Sequence, residues 1–138
     1  MGDLSKNFNR DEFECECGCG FDTVDAGLLR VLQGVADYYK TIYANAKIEI
    51  TSGCRCPEHD EEVQREHNPN YIANSSKSKH RVGKAADFKV YVKTDGDFVQ
   101  LPSEIVYNYI DDKYPDTLGL GMYTNRNHVD SREGKGRW

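Results

Sequence analysis

The stretch Ala85–Val92, AADFKVYV, reads as a β-strand, yet it carries a carboxylate, Asp87, in its interior. Aspartate is depleted in strands, where β-branched and aromatic side chains fit the pleated, half-buried surface. Departures of this kind tend to mark functional sites. Immediately upstream, Ser78-Lys79-His80-Arg81-Val82-Gly83-Lys84 sets His80 where a loop meets the strand. Gly83 allows a tight turn at the strand entrance, and the small Ala85 shares the face of Asp87 by the two-residue period. A fold for this chain has to seat Asp87 in a sheet with His80 beside it.

The rest of the chain supplies the elements. Leu28, Val31, Leu32, Val35, Tyr39 and Ile42 recur at three- and four-residue steps, predicting an amphipathic helix over Asp25–Tyr43 with Asp25 as N-cap. Ile48–Thr51 alternates as a half-buried strand does, and Pro57 opens a short charged helix over Pro57–Glu66. His67–Lys79 is polar and reads as a long loop. A turn at Thr94–Asp97 leads to Phe98–Leu101, completing a hairpin with Ala85–Val92. Ser103–Tyr114 is a second amphipathic helix with Ile105, Val106, Tyr109 and Ile110 inward, and Leu118–Tyr123 and Asn127–Ser131 are short strands. Helices that precede and interrupt an antiparallel sheet imply the α+β class.

The 138 residues fit one domain, with residues 1–23 as an arm ending in the Gly/Cys turn Cys17–Gly20. Fifteen aromatic residues (9 Tyr, 5 Phe, 1 Trp) exclude a solvated tail, and the net charge of −5 argues against a nucleic-acid partner. No apolar stretch approaches the roughly 20 residues needed to cross a bilayer. The N-terminus lacks the basic start and apolar run of a signal peptide, so synthesis in the cytoplasm is expected.

A second histidine, His128, falls on the last strand with Asp130 on the same face. Two imidazoles and a carboxylate, His80, Asp87 and His128, make a mixed nitrogen and oxygen set suited to Zn²⁺, with the fourth position open as in a catalytic site.

Taken together, Ser-x-His-x-x-Gly-x-Ala-x-Asp (Ser78–Asp87) followed by His128-Val129-Asp130 resembles the zinc D-Ala-D-Ala carboxypeptidase family of peptidoglycan peptidases, whose fold is shared with the hedgehog signalling domain. The likeness is to the small single-domain branch found in phages and prophages. It extends over Phe13–Gly20, Ile50–Gly53 with Arg55-Cys56-Pro57, Gly119–Tyr123 and the closing Gly136-Arg137-Trp138. The resemblance implies His80, Asp87 and His128 as ligands of one zinc, Arg55 as a catalytic and substrate-binding contact, and Ser78 as support for the first ligand and for substrate. It implies action on peptidoglycan stem peptides, as a carboxypeptidase or an endolysin-type endopeptidase; a monomer is expected, reaching the wall on phage or prophage lysis because no export signal is read in the chain. The acidic residue that relatives use as general base, three positions before the second metal histidine, is here Asn125. Asp130 is the expected substitute; its other reading is a carboxylate that orients His128, and Glu49 is a weaker candidate for the base. Without the acid at Asn125, a non-catalytic zinc-binding wall or virion module is the alternative function.

Five cysteines remain, Cys15, Cys17, Cys19, Cys54 and Cys56, in two tight groups. Neither group has the two-residue gap of a zinc ribbon, so a structural role, with pairing across the groups, is expected ahead of a second metal site.

Overall fold

The computed structural model describes residues 2–138. The first long element, α1 (Ala26–Ile42), begins where expected: the Asp25 carboxylate accepts the Leu28 N–H at 3.1 Å. Its stripe of Leu28, Val31, Leu32, Val35, Ala36 and Tyr39 is buried. Ile42, expected inward, is half exposed because the helix ends there.

Next come β1 (Lys47–Ser52) and α2 (Pro57–His67). β2 (Ala85–Thr94) then turns through Asp95 and Gly96, both at positive φ, into β3 (Asp97–Gln100). Positive φ at both central residues of a two-residue loop is the hairpin geometry that matches strand twist. α3 (Ser103–Lys113) buries Ser103, Val106 and Ile110; Ile105, expected inward, is half exposed, one position off the buried stripe. β4 (Gly119–Met122), β5 (Asn127–Asp130) and β6 (Gly136–Arg137) complete the chain.

The sheet runs β1-β2-β5-β4-β6, with β3 on the distal half of β2. It is antiparallel, as expected, except at its end: β6 pairs parallel with β4, Gly119 opposite Gly136 and Leu120 opposite Arg137. The sheet is therefore mixed. The sequence pattern offered no strand at Gly136–Arg137, since two residues carry no periodicity. Nor is the arm a loose appendage. Phe8 and Phe13 are buried in the same core as α1, Phe88, Val90, Leu120 and Val129.

β2 is central. Its first half pairs with β5, so that Asp87 lies directly opposite His128 and Ala85 opposite Asp130. On its other side a bulge between Ile50 and Ser52 of β1 sets Ser52 opposite Asp87. Bulges re-aim side chains beside functional sites. Phe88, Val90 and Val92 face the core, which leaves Asp87 on the opposite face by the strand period.

Burial on α1 sets a clear expectation for stability. Leu32→Ala, at a site with no exposed surface, should cost about 2–5 kcal/mol in urea unfolding. Ile42→Ala, half exposed at the helix end, should stay within about 0.5 kcal/mol. Equal losses at both positions would contradict this core.

Candidate metal centre

His80 sits in a single 3-10 turn, Lys79–Val82, immediately before β2. Ser78 caps that turn, its hydroxyl accepting the His80 N–H at 3.3 Å. Gly83 ends it in the left-handed region (φ 69°), and a Cβ there would also run into the Thr23 carbonyl. Only glycine answers both demands. The result is a fixed ring. His80 Nδ1 lies 2.6 Å from the Gly53 carbonyl, which can only accept, so Nδ1 carries the proton and Nε2 keeps its lone pair. Nε2 faces Asp87 Oδ1 at 3.5 Å.

His128 reaches the same oxygen from the other side. Its Nδ1 is 2.9 Å from Asp87 Oδ1, and its Nε2 is 2.9 Å from Asp130 Oδ2. Asp130 is fully buried and itself held by the Arg132 guanidinium (Nε to Oδ1 2.6 Å, Nη2 to Oδ2 2.8 Å) and the Gly119 N–H at 3.2 Å. A Cβ at Gly119 would collide with this carboxylate.

His80, Asp87 and His128 are all buried, and their donor atoms lie within 4.8 Å of one another. Bonds of about 2.0–2.1 Å in a tetrahedron put donor atoms roughly 3.3 Å apart. The two separations about Asp87, 3.5 and 2.9 Å, bracket that value. Each imidazole also has the outer hydrogen-bond partner that metal-bound histidines keep, Gly53 for His80 and Asp130 for His128. The donor set fits zinc.

The charges are strongly coupled. Burial alone would raise Asp87, but the hydrogen bond from His128 and the neighbouring His80 imidazole outweigh it and hold the carboxyl well below its usual range. Burial is likewise outweighed at Asp130, held low by His128 and Arg132. His128 moves the other way: burial opposes its charge, yet Asp130 and Asp87 raise its pKa above the ordinary 6.5. Lowered carboxylates favour the folded state above their ordinary pKa and lose that contribution as pH falls towards the folded value. The raised imidazole contributes most at acid pH and loses its contribution as pH rises through its folded value.

Arg55 lies beside the trio. Its guanidinium is 3.3 Å from Asp60, 3.4 Å from the Ser52 hydroxyl and 4.0 Å from Asp87 Oδ2. Asp60, fully buried in the first turn of α2, also pairs with Arg81 at 3.0 Å, so one carboxylate fixes two guanidiniums. Ser78, beyond capping His80, lines the pocket over the trio. Asn125 lies in the β4–β5 turn, where its carbonyl accepts from Gln100. Glu49 is exposed on β1 opposite Lys89 and lines no part of the pocket.

The pocket has a volume of about 210 Å³. Much of its wall escaped the sequence reading. α2 runs through His67, placing Val63 and His67 one turn apart on the pocket wall, where a loop was expected to begin. Their four-residue spacing was the available signal. Arg126 brings Nε to 3.7 Å from Asp87 Oδ2 and stacks on Tyr123 at 4.2 Å. Trp138 packs on His128 with ring centres 5.0 Å apart, over the space that Gly121 leaves open. A larger groove of about 460 Å³ runs along α1 between Ser5 and Lys113, but His80, Asp87 and His128 do not line it.

Metal binding should follow from this geometry. His80→Ala should lose the ion from this centre by elemental analysis, whereas loss of none would refute the assignment. Metal must displace the proton that His128 Nδ1 otherwise directs at Asp87. Affinity measured by chelator competition should therefore fall on acidification, by up to about tenfold per pH unit for one displaced proton. Because His128 is raised, the fall should begin above pH 6.5.

A family model described as Peptidase M15 (Peptidase_M15_3) matches residues 6–130, which span all three donors, Arg55 and Asp130. No curated protein and no solved structure matches the chain. The match covers most of the sequence and agrees with the resemblance carried by Ser78–Asp87 and His128–Asp130. The chain belongs to the Peptidase M15 family, the zinc D-Ala-D-Ala carboxypeptidase-type metallopeptidases.

Proposed function

We propose that this metallopeptidase hydrolyses peptidoglycan stem peptides. The observation that carries the proposal is a pair of guanidiniums, Arg55 and Arg126, set beside the same oxygen of Asp87 at the floor of a small pocket. A planar guanidinium binds a carboxylate in two-pronged fashion, and stem peptides are rich in free carboxylates. A neutral, extended peptide would find little use for two fixed cations at the reaction centre.

His80 through Nε2, Asp87 through its carboxylate and His128 through Nδ1 would hold zinc. When bound, zinc supplies Lewis acidity that polarises a carbonyl and lowers the pKa of water towards about 7. The chain's own residues do the rest. Gly53 and Asp130 hold the two imidazoles in the required tautomers. Arg55, fixed by Asp60, is placed to bind the substrate carboxylate or the oxyanion that develops on the scissile carbonyl. Asp130 meets His128 at Nε2, the ring nitrogen turned away from Asp87, and its oxygens are engaged by Arg132 and Gly119. For Asp130 we therefore propose the orienting role and not that of the base. His67, at the pocket rim, is the one imidazole of the pocket outside the metal set, and imidazole is the commonest general base. We assign it the proton transfer. One chain brings His80, Asp87 and His128 together, which is compatible with the monomer proposed as the working unit.

Mass spectrometry of muropeptides digested with and without a chelator tests the substrate class. Loss of a terminal D-Ala, or scission of a stem peptide or cross-link, should vanish with chelator and return with zinc. Full zinc occupancy with no product would instead favour the non-catalytic binding module that the amide at Asn125 allows.

Two variants separate the roles. His67→Ala should lower kcat about 10²–10⁴-fold with zinc retained. Asp130→Asn should weaken zinc binding about 10–100-fold and recover turnover at saturating zinc. A kcat loss at Asp130→Asn that persists at saturating zinc, with His67→Ala unaffected, would return the base to Asp130.

A further inference from the structure

Four of the five cysteines converge. Cys15 Sγ lies 3.4 Å from Cys17 Sγ, Cys17 Sγ lies 3.6 Å from Cys56 Sγ, and the sulfurs of Cys15, Cys17, Cys19 and Cys56 all fall within 4.8 Å of one another. We propose that these four thiols form a second, structural zinc site, separate from the catalytic centre.

Geometry distinguishes this from the pairing expected across the two groups. A disulfide needs sulfurs about 2.05 Å apart and joins only two. All five cysteines are free thiols, and four sulfurs crowd around one point. Zn–S bonds of about 2.3 Å in a tetrahedron put sulfurs roughly 3.8 Å apart, close to the separations seen. Burial as small hydrophobes does not explain the cluster either, because Cys17 and Cys19 are exposed and still turn inward to meet Cys15 and Cys56.

The backbone is shaped for it. In an extended strand Cys15, Cys17 and Cys19 would share one face but stand roughly 7 Å apart, so the chain has to curl to bring their sulfurs round one point. Here Gly18 (φ 80°) donates its N–H to the Cys15 carbonyl at 3.2 Å, Gly20 (φ 87°) turns again, and Cys15 N–H closes the loop on the Phe21 carbonyl at 2.7 Å. The fourth sulfur comes from Cys56, the N-cap of α2, where it accepts the His59 N–H at 3.4 Å. Cys15 Sγ accepts the Cys56 N–H, also at 3.4 Å. Such N–H donors, with the positive end of a helix, stabilise thiolates and accompany metal-bound sulfur.

Cys54 is the one left out, which accounts for the odd number. Its thiol donates to the Phe13 and Phe21 carbonyls at 3.1 and 3.0 Å, and burial pushes its pKa up to about 11, so it stays protonated. Binding at the other four displaces their protons to solvent and involves no redox change. With four protein ligands no position remains open, as in structural rather than catalytic zinc sites. The ion would tie residues 15–19 of the arm to the start of α2, the helix whose far end carries Val63 and His67 to the catalytic pocket.

Metal analysis of the intact protein, produced with zinc and kept reduced, tests this. Two zinc ions per chain are expected, one lost in the exposed-site variant Cys17→Ser/Cys19→Ser and the other in His80→Ala. Cobalt-loaded protein should show a thiolate-to-cobalt charge-transfer band in the near ultraviolet, retained in His80→Ala. That spectrum decides the matter even where the cysteine variant does not fold. A single zinc that disappears with His80→Ala, no charge-transfer band in wild type, or iron in place of zinc at the cysteines would each overturn the proposal.

Discussion

Everything at the site depends on one backbone register, the antiparallel pairing of β2 with β5 that sets Asp87 opposite His128. Residues directly opposite in such a pair have Cβ atoms about 4.5–5.5 Å apart, near enough for a carboxylate and an imidazole to share a partner. A slip of one residue would turn Asp87 into the core and Phe88 out of it, so the hydrophobic face that fixes the sheet also fixes the metal centre. The bulge in β1 then brings Ser52 level with Asp87, and the next residue, Gly53, supplies the carbonyl that meets His80 Nδ1.

Around that register the charges form a chain: Arg55 and Arg126 on Asp87, Asp87 on both imidazoles, and His128 on Asp130, which Arg132 holds. Isolated buried charges are costly, and each of these is compensated by the next. The chain has a direction as well. On the Nδ1 side of His128 lies the oxygen shared with His80, and on the Nε2 side lies a carboxylate already saturated by donors. That asymmetry favours Asp87 as the candidate ligand and Asp130 as its support, a distinction that strand-face arithmetic alone does not make.

Asp87 stood out in the sequence because an aspartate inside a strand breaks a local rule, and His80 and His128 joined it as one mixed donor set. The pocket wall did not stand out. Arg126 sits in a short turn with no periodicity, and His67 looked like the first residue of a loop, although its spacing from Val63 continued α2. The parallel β6 involves only Gly136 and Arg137, and the Trp138 that follows fills the space above Gly121, a long-range fit with no local signature. The cysteines mislead for a related reason. Their spacing matches no familiar ligand pattern, and only the fold, through Gly18, Gly20 and the start of α2, brings four sulfurs together.

On this geometry β2 and β5 would assemble one zinc centre on the Asp87 side of His128. Anomalous diffraction at the zinc edge from crystals of zinc-loaded protein should show a peak bonded to His80 Nε2, Asp87 and His128 Nδ1, with Nε2 of His128 still hydrogen-bonded to Asp130. A peak bonded to His128 Nε2 and Asp130, or none near Asp87, would contradict it.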